Sequence, residues 1–461
     1  MISRRHFLRN TCAGLGVGAG FASNLASFNA YAADVQDYKA LVCVFLFGAM
    51  DCHDTVIPYD QASYDQFEAI REPLLAGFDL GQSRRRGALL GLNGDLGGRQ
   101  FAFPAELQPL HDLYQQGKAA IVGNVGPLVE PITKTTFDNK SALRPPKLFS
   151  HNDQQSVWMA SEAEGAQTGW GGRISDIMQA AQANAENSFT AISLRGNSVF
   201  LTGQTVQPFV MSSSGALSVT GLTANRTLGS EGFGDIYEDV LRDAEASRNS
   251  LFQRDLVSVV NASLDTNALL EEQLELPGDP MTAFPEGSSL AAQLNMVART
   301  IARRNSLGMK RQVFFVATGG FDTHSDQAAT LPLLQADVAN SIRAFYDSLV
   351  EMGVENSVTT FTASDFGRTF SVNGDGTDHG WGSHHLVVGG SVNGGQILGD
   401  IPPPAFGHNF DAGRGRLIPQ LAVDQYAGAL GSWFGLTQSE ILEALPGYDR
   451  FDSNALSGLF V

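Results

Sequence analysis

The chain has 461 residues, of which 43% are hydrophobic and 17% charged, a balance typical of a folded globular protein and not of a disordered one. Its formal net charge is -18 at pH 7, which disfavours nucleic acid and anionic lipid as partners. Beyond residue 32 no run of about 18 apolar residues occurs, so we expect no membrane span in the mature chain.

The first 32 residues have the pattern of an export signal. Arg4 and Arg5 precede a weakly apolar segment rich in Gly and Ala, which ends in the small-residue pattern Ala30-Tyr31-Ala32. We interpret residues 1–32 as a twin-arginine signal peptide, with the twin-arginine translocase as its partner during export. The mature protein is therefore expected in the periplasm or outside the cell.

Two cysteines, Cys43 and Cys52, remain after this segment, so no disulfide framework is expected. Loss of the segment also removes three arginines and no acidic residue, which makes the mature chain still more acidic. A small anionic substrate stays compatible with this charge, because a bound divalent cation reverses the sign locally.

Apolar runs alternate with helical patterns along the rest of the chain. Continuous apolar runs are typical of parallel strands covered on both faces, and apolar residues at three- and four-residue spacing predict helices. In chain order we predict a strand over 41–47, a helix over 104–117, strands over 119–125 and 190–194, helices over 251–276 and 288–307, a strand over 312–317, a helix over 331–352, and strands over 358–362 and 385–388.

This alternation predicts a three-layer α/β/α sandwich with a mostly parallel central sheet. We expect one domain over 33–461. The segment 193–287 is polar and then helical, and we interpret it as a cap or insertion on that domain. In open parallel sheets ligands bind beyond the carboxyl ends of the strands, so the residues after each strand are the ones to inspect.

Carboxylates and imidazoles collect just after these predicted strands. Such groups are ligands for a hard or borderline divalent cation, so we predict a site for Zn, Mn or Mg at this edge of the sheet. The predicted metal ligands are Asp51, Asp322, His324, Asp365, His379, His384 and His385.

Each motif also has a purely structural interpretation. The pair Asp322 and His324 could be a turn aspartate with a packing histidine, and the loop "NGDGTDHGWGSHH" could be a Gly/Asp turn with exposed histidines. Calcium is a lesser possibility, because "NGDGTD" has only part of the oxygen-ligand spacing and no terminal glutamate.

Ser150 and Arg368 are the candidate catalytic residues. Ser150 opens a predicted helix, where backbone N–H groups and the helix dipole favour an anion. The alternative is a plain N-cap serine with Asp153 at the third helical position, an acidic version of the capping box. Arg368 is the candidate clamp for a substrate anion.

Five motifs together resemble the exported family called domain of unknown function 1501. They are "GAMDCHDTVIPY", "FSHNDQQSVW", "GGFDTHSDQ", "SDFGRTFSVNGDGTDHGWGSHH" and "RGRLIPQLAVDQYAGAL". That family resembles the alkaline phosphatase and sulfatase superfamily, whose members hold one or two divalent metals at the strand ends of an α/β/α sandwich. They use a Ser, Thr or modified Cys nucleophile.

The resemblance implies roles for individual residues: a first metal-binding aspartate, a later Asp/His pair and a final histidine. These are Asp51, Asp322 with His324, and His384 or His385. Asp365 matches the aspartate of the superfamily's "SDHG"-type motif, but Phe366 stands where that motif has a ligating histidine. A complete two-metal site then needs His379 or His53 as a substitute.

Together these patterns predict a periplasmic, metal-dependent hydrolase of phosphate or sulfate esters. The alternative is a non-catalytic, metal-binding exported protein that uses the same scaffold for binding or assembly. Phe366 favours the alternative, and the density of the remaining ligands favours the enzyme.

The export signal is tested by changing Arg4→Lys and Arg5→Lys together. We expect a folded precursor to accumulate in the cytoplasm, because the signal depends on the arginine pair. Cell fractionation with immunoblotting measures this, and undiminished export of the double variant would contradict the assignment.

Overall fold

The computed structural model describes residue 35 and residues 37–217 and 251–461. Its strands are β1 Lys39–Leu46, β2 Ile57–Pro58, β3 Leu90–Gly91, β4 Phe101–Phe103, β5 Ala119–Gly126, β6 Ala191–Ser193, β7 Phe209–Ser212, β8 Gly215–Ala216, β9 Arg311–Thr318, β10 Val358–Ser364, β11 Arg368–Val372, β12 Thr377–His379, β13 Ser383–Val388, β14 Ile397–Gly399 and β15 Leu421–Ala422. Its α-helices are α1 Gln61–Phe78, α2 Gln108–Gln115, α3 Lys134–Asp138, α4 His151–Ala160, α5 Trp170–Ala180, α6 Leu251–Glu275, α7 Ser289–Ala302, α8 Gln327–Glu351, α9 Val423–Phe434 and α10 Gln438–Ala444.

A ten-stranded sheet forms the centre, in the order β14-β5-β13-β10-β1-β9-β6-β7-β8, with β15 also paired to β5. Strand β1 is parallel to β10 on one side and to β9 on the other. Strand β13 lies antiparallel between β5 and β10. The carboxyl ends of β1, β5, β9 and β10 and the start of β13 therefore share one edge of the sheet.

Successive side chains of β1 enter opposite cores, because side chains alternate across a strand. Val42 and Val44 pack in a cluster with side chains of α2, α7 and α8. Cys43 and Phe45 pack in another cluster with side chains of α5 and α9. Both faces of the strand are thus covered, which explains its continuous apolar sequence and confirms the α/β sandwich with a mostly parallel sheet.

All ten predicted elements correspond to observed ones, with bounds that differ by a few residues. The strand predicted over 385–388 is β13, which runs antiparallel. The reason is the short β11–β12 hairpin that precedes it, which returns the chain to the edge where β10 ended. Helices α1, α3 and α5 were not predicted.

The segment interpreted as a cap includes β7 and β8, which extend the central sheet at one end. Residues 218–250 lie outside the described residues, so the extent of an insertion stays a prediction. The interpreted signal peptide also lies outside them. No described helix combines the length and the apolar character that crossing a membrane requires.

Candidate metal centre

The loops after β1, β9 and β10 contact each other through Gly48. Its backbone N–H donates to Oδ2 of Asp365 at 3.1 Å. Its φ is +106°, and a Cβ there would lie 2.5 Å from the backbone nitrogen of Asp322. Only glycine satisfies both demands, so the close approach of these three loops depends on this position.

The carboxylate of Asp322 is the point where most of the polar side chains converge. Its Oδ1 lies 2.5 Å from Nη1 of Arg368 and 3.1 Å from Nε2 of both His379 and His324. Its Oδ2 lies 3.5 Å from Nε2 of His151. Burial works to raise the pKa of Asp322, but the contact with Arg368 outweighs it and the pKa is lowered.

His151 is oriented by a carboxylate behind it. Its Nδ1–H donates to Oδ2 of Asp365 at 2.5 Å, which raises the pKa of His151. This bond leaves Nε2 on the side of Asp322. That nitrogen is buried and has no hydrogen-bond partner among the described residues. A carboxylate that holds a histidine by the far nitrogen is the usual support of a metal-ligating imidazole.

His379 is oriented in the same way by a backbone carbonyl. Its Nδ1–H donates to the carbonyl oxygen of Phe149 at 2.8 Å, so in the neutral imidazole its Nε2 carries the lone pair. Burial lowers the pKa of His379. Phe149 itself has φ +73°, a conformation that non-glycine residues adopt rarely and that recurs at functional sites.

Three residues offer ligand atoms that all lie within 4.8 Å of one another: His151, Asp322 and His379. Nε2 of His379 lies 3.1 Å from Oδ1 and Nε2 of His151 lies 3.5 Å from Oδ2 of Asp322. Both distances are close to the spacing of about 3.3 Å between two ligand atoms of a tetrahedral site with metal bonds of about 2.0–2.1 Å. Nε2 of His324 lies 2.9 Å from Nε2 of His379 and 3.1 Å from Oδ1 of Asp322, so this histidine borders the same group. These residues fit a divalent cation.

His151 is not among the predicted ligands, although it lies one residue after Ser150 in the motif "FSHNDQQSVW". Its partner Asp365 is 214 residues away in the sequence. The available signal was the enrichment of histidines near strand ends, which does not distinguish a ligand from a neighbour.

Asp365, a predicted ligand, is placed behind the centre instead of within it. Its Oδ2 accepts hydrogen bonds from His151, from the Gly48 N–H and from Nε2 of Gln155. The ring of Phe366 packs 4.7 Å from the rings of both His151 and His379. Where the superfamily motif has a histidine, this chain has an apolar wall against two imidazoles.

Asp51, another predicted ligand, is paired with a buried cation. Its Oδ2 lies 2.7 Å from Nη1 of Arg71, which also contacts Asp54 at 3.1 Å, and all three side chains are fully buried. Burial works to raise the pKa of Asp51, but Arg71 and His53 outweigh it and lower the value to about 2. Gln327 donates to both carboxylates at 2.8 Å.

His384 and His385, two further predicted ligands, are buried in β13. Nδ1 of His384 accepts from the backbone N–H of Asn124 at 3.0 Å, and burial lowers its pKa to about 4. The ring of His385 packs 4.7 Å from Trp158, and burial lowers its pKa to about 3. Neither has a recorded contact with Asp322 among the described residues.

Ser150 is the N-cap residue of α4, but its side chain accepts no hydrogen bond from the helix. Its Oγ–H donates to Oδ2 of Asp153 at 2.8 Å. Arg368 is fully buried, and its guanidinium donates to Asp322, to the Gly48 carbonyl and to Thr377. Its position makes it a support for Asp322.

The family model described as "Protein of unknown function (DUF1501)" matches residues 38–444. The chain belongs to this family. The matched range includes every residue of the candidate metal centre described above. A search of curated proteins gave no significant match.

Several solved structures resemble the chain at low identity. Ps i-CgsB, crystallised in complex with k-i-k-neocarrahexaose, is 7% identical with a TM-score of 0.37, covering 91% of this chain and 78% of its own. The PsFucS1 sulfatase from Pseudoalteromonas sp. is 10% identical with a TM-score of 0.36, covering 91% and 70%. A mutant of the alkaline phosphatase PafA is 10% identical with a TM-score of 0.23, covering 72% and 64%. Function is therefore argued from the site itself.

The buried pairing of Asp51 is tested by Arg71→Met. The change leaves two buried carboxylates without their cation, so we expect the free energy of unfolding to fall by about 3–5 kcal/mol. The matched control is Arg85→Met, because Arg85 contacts Glu68, Glu72 and Asp79 near the surface, where ion pairs contribute little. Urea unfolding measures both, and equal losses in the two variants would refute the buried pairing.

Proposed function

We propose that the protein is a metal-dependent hydrolase of phosphate or sulfate esters that acts after export to the periplasm or the exterior. The observation that carries the proposal is the Nε2 of His151. It is buried without a hydrogen-bond partner among the described residues, and it lies beside the carboxylate of Asp322 and the imidazole of His379. A buried polar atom without a partner is uncommon in folded proteins, and here a cation would supply the partner.

The orientation of the imidazoles supports a cation over a simple hydrogen-bond network. His151 and His379 each use Nδ1–H to bind a fixed acceptor behind the site, so in the neutral imidazoles the Nε2 lone pairs are directed at the same carboxylate. Lone pairs and a carboxylate repel each other unless a proton or a cation lies between them. Two or three nitrogens with one carboxylate oxygen suit Zn or Mn.

The chain's own residues supply three further requirements of ester hydrolysis. Asp365 and the Phe149 carbonyl hold the two imidazoles in position, and Arg368 fixes the carboxylate of Asp322. Ser150 is the proposed nucleophile, because its Oγ–H already donates to a carboxylate that can accept the proton. A divalent cation at the site would polarise an ester oxygen and stabilise the charge that develops during hydrolysis.

We further propose one cation per chain. The second group of strand-end carboxylates, Asp51 and Asp54, already has the guanidinium of Arg71 as its counter-charge. A metal would have to displace this buried arginine. The pairing therefore favours a mononuclear centre.

The second candidate function is metal binding without catalysis. The observation that favours it is Phe366, whose ring occupies the side of His151 and His379 where another ligand would otherwise stand. Metal content is the same for this candidate and for the enzyme, so only a measurement of ester turnover distinguishes them.

The proposal is tested on the purified mature protein by elemental analysis and by hydrolysis of aryl phosphate monoesters, diesters and sulfates. We expect about one metal ion per chain, and loss of turnover after treatment with a chelator. His379→Ala should lower both metal content and thermal stability, because the cation binds only the folded state. His111→Ala, a half-buried histidine on α2, is the matched control and should retain metal.

The same assays test the role of Ser150 and distinguish the enzyme from the metal-binding protein. Ser150→Ala should abolish turnover and leave the metal bound. Metal at one ion per chain without turnover of any ester would favour the binding protein. Absence of metal together with absence of turnover would contradict both functions.

A further inference from the structure

We propose that Arg416 binds the negatively charged group of the substrate, assisted by Arg414, so that these two residues form an anion-binding rim beside the metal centre. The ligand class is a tetrahedral oxyanion, a phosphate or sulfate group. The inference rests on the proposed function and assigns the recognition of substrate charge to a side chain other than the predicted clamp, Arg368.

Arg416 is fixed to the two residues that orient the centre. Its Nε–H donates to the backbone carbonyl of His379 at 2.8 Å. Its guanidinium carbon lies 4.7 Å from the centroid of the Phe149 ring. His379 directs its Nε2 at Asp322, and Phe149 supplies the carbonyl that holds His379. Arg416 is thus built into the wall of the same site.

The two Nη groups of Arg416 have no recorded hydrogen-bond partner among residues 37–217 and 251–461. The residue is half-buried, so its planar fork is held on one side and open on the other. Such a fork matches two oxygens of a phosphate or sulfate group at once. Arg368 lacks this capacity, because its guanidinium donates to Thr377, Gly48 and Asp322.

The loop that carries the rim is rigidly supported. The carboxylate of Asp411 accepts backbone N–H groups of Gly407 at 2.7 Å, Gly413 at 2.7 Å and Gly415 at 2.8 Å. Gly415 has φ +69°, and a Cβ there would lie 2.3 Å from the Cβ of Phe370 on β11. A donor held this firmly binds an anion without first having to be ordered.

An anionic ester needs local positive charge in order to bind to this protein. The net charge of the chain is -18, which repels such an ester at long range. Arg414 is half exposed and pairs with Asp378 at 2.7 Å. Burial and, to a smaller extent, Arg414 lower the pKa of Arg416, while Asp378 and Asp411 oppose this change. A bound anion would add to the negative charge that balances the two guanidinium groups.

The test uses metal-loaded mature protein and inorganic phosphate and sulfate as probes. Isothermal titration calorimetry should show that Arg416→Met weakens binding of phosphate, sulfate or both by about 10–100-fold, the loss expected for charge-assisted hydrogen bonds. Comparing the two anions identifies which one the rim prefers. Arg416→Lys keeps the charge but loses the planar guanidinium, so its anion affinity should lie between those of Arg416→Met and the wild type.

Arg144→Met is the matched control. Arg144 also lies over an aromatic ring, at 4.3 Å from the Phe137 centroid, and also donates to a backbone carbonyl. The Arg144→Met substitution should leave the affinity for phosphate and sulfate unchanged. Metal content and melting temperature of each variant are measured alongside, and if Arg416→Met loses metal, Arg416→Lys decides the question.

Kinetics separate failure of this inference from failure of the proposed function. With a hydrolysed ester, Arg416→Met should raise KM more than it lowers kcat. Ester turnover with unchanged KM and unchanged anion affinity in Arg416→Met overturns the rim and leaves the hydrolase standing. Anion binding that depends on Arg416, in a protein that hydrolyses none of the esters, overturns the hydrolase and retains the rim.

Discussion

The geometry of the site depends on how the carboxylate of Asp322 is held at the edge of the sheet. A carboxylate close to three imidazole nitrogens and one guanidinium is stable only if the charges and lone pairs balance. Arg368 supplies one fixed positive charge at 2.5 Å. His151 and His379 direct their Nε2 atoms toward Asp322, because their Nδ1–H groups donate to Asp365 and to the Phe149 carbonyl, respectively. A divalent cation would provide further positive charge between the carboxylate and the imidazole nitrogens.

The same edge of the sheet contains a second group of carboxylates that is neutralised differently. Asp51 and Asp54 are fully buried and share Arg71, a residue of α1, with Gln327 completing the hydrogen bonds. A guanidinium that is part of the chain cannot dissociate, so this group is closed to exchange. Asp322 is also paired with a guanidinium of the chain, that of Arg368, but its side chain is partly exposed. The difference in exposure leaves the carboxylate of Asp322, and not those of Asp51 and Asp54, accessible from solvent.

The candidate metal centre combines imidazoles that are held from behind with an apolar wall. Phe366 packs against His151 and His379, which limits the number of ligands but holds both rings in place. The loop around Asp411 then brings two arginines to the same wall, next to residues that already orient the centre. The proposed anion-binding rim and the proposed cation site therefore share contacts with His379 and Phe149.

The sequence by itself determined the sheet, because strands buried on both faces need continuous apolar runs, and it determined which residue types follow each strand. Asp322, His324 and His379 were predicted as ligands in this way, and the structure brings them together. Only the tertiary structure decided that His151 joins them, because its partner Asp365 is 214 residues away and a hydrogen bond requires positions accurate to a few tenths of an ångström. The directions of His384 and His385 likewise depend on how β13 pairs with β5, where the register shifts between Ser383 and His385, and such a shift leaves no local signal in the sequence.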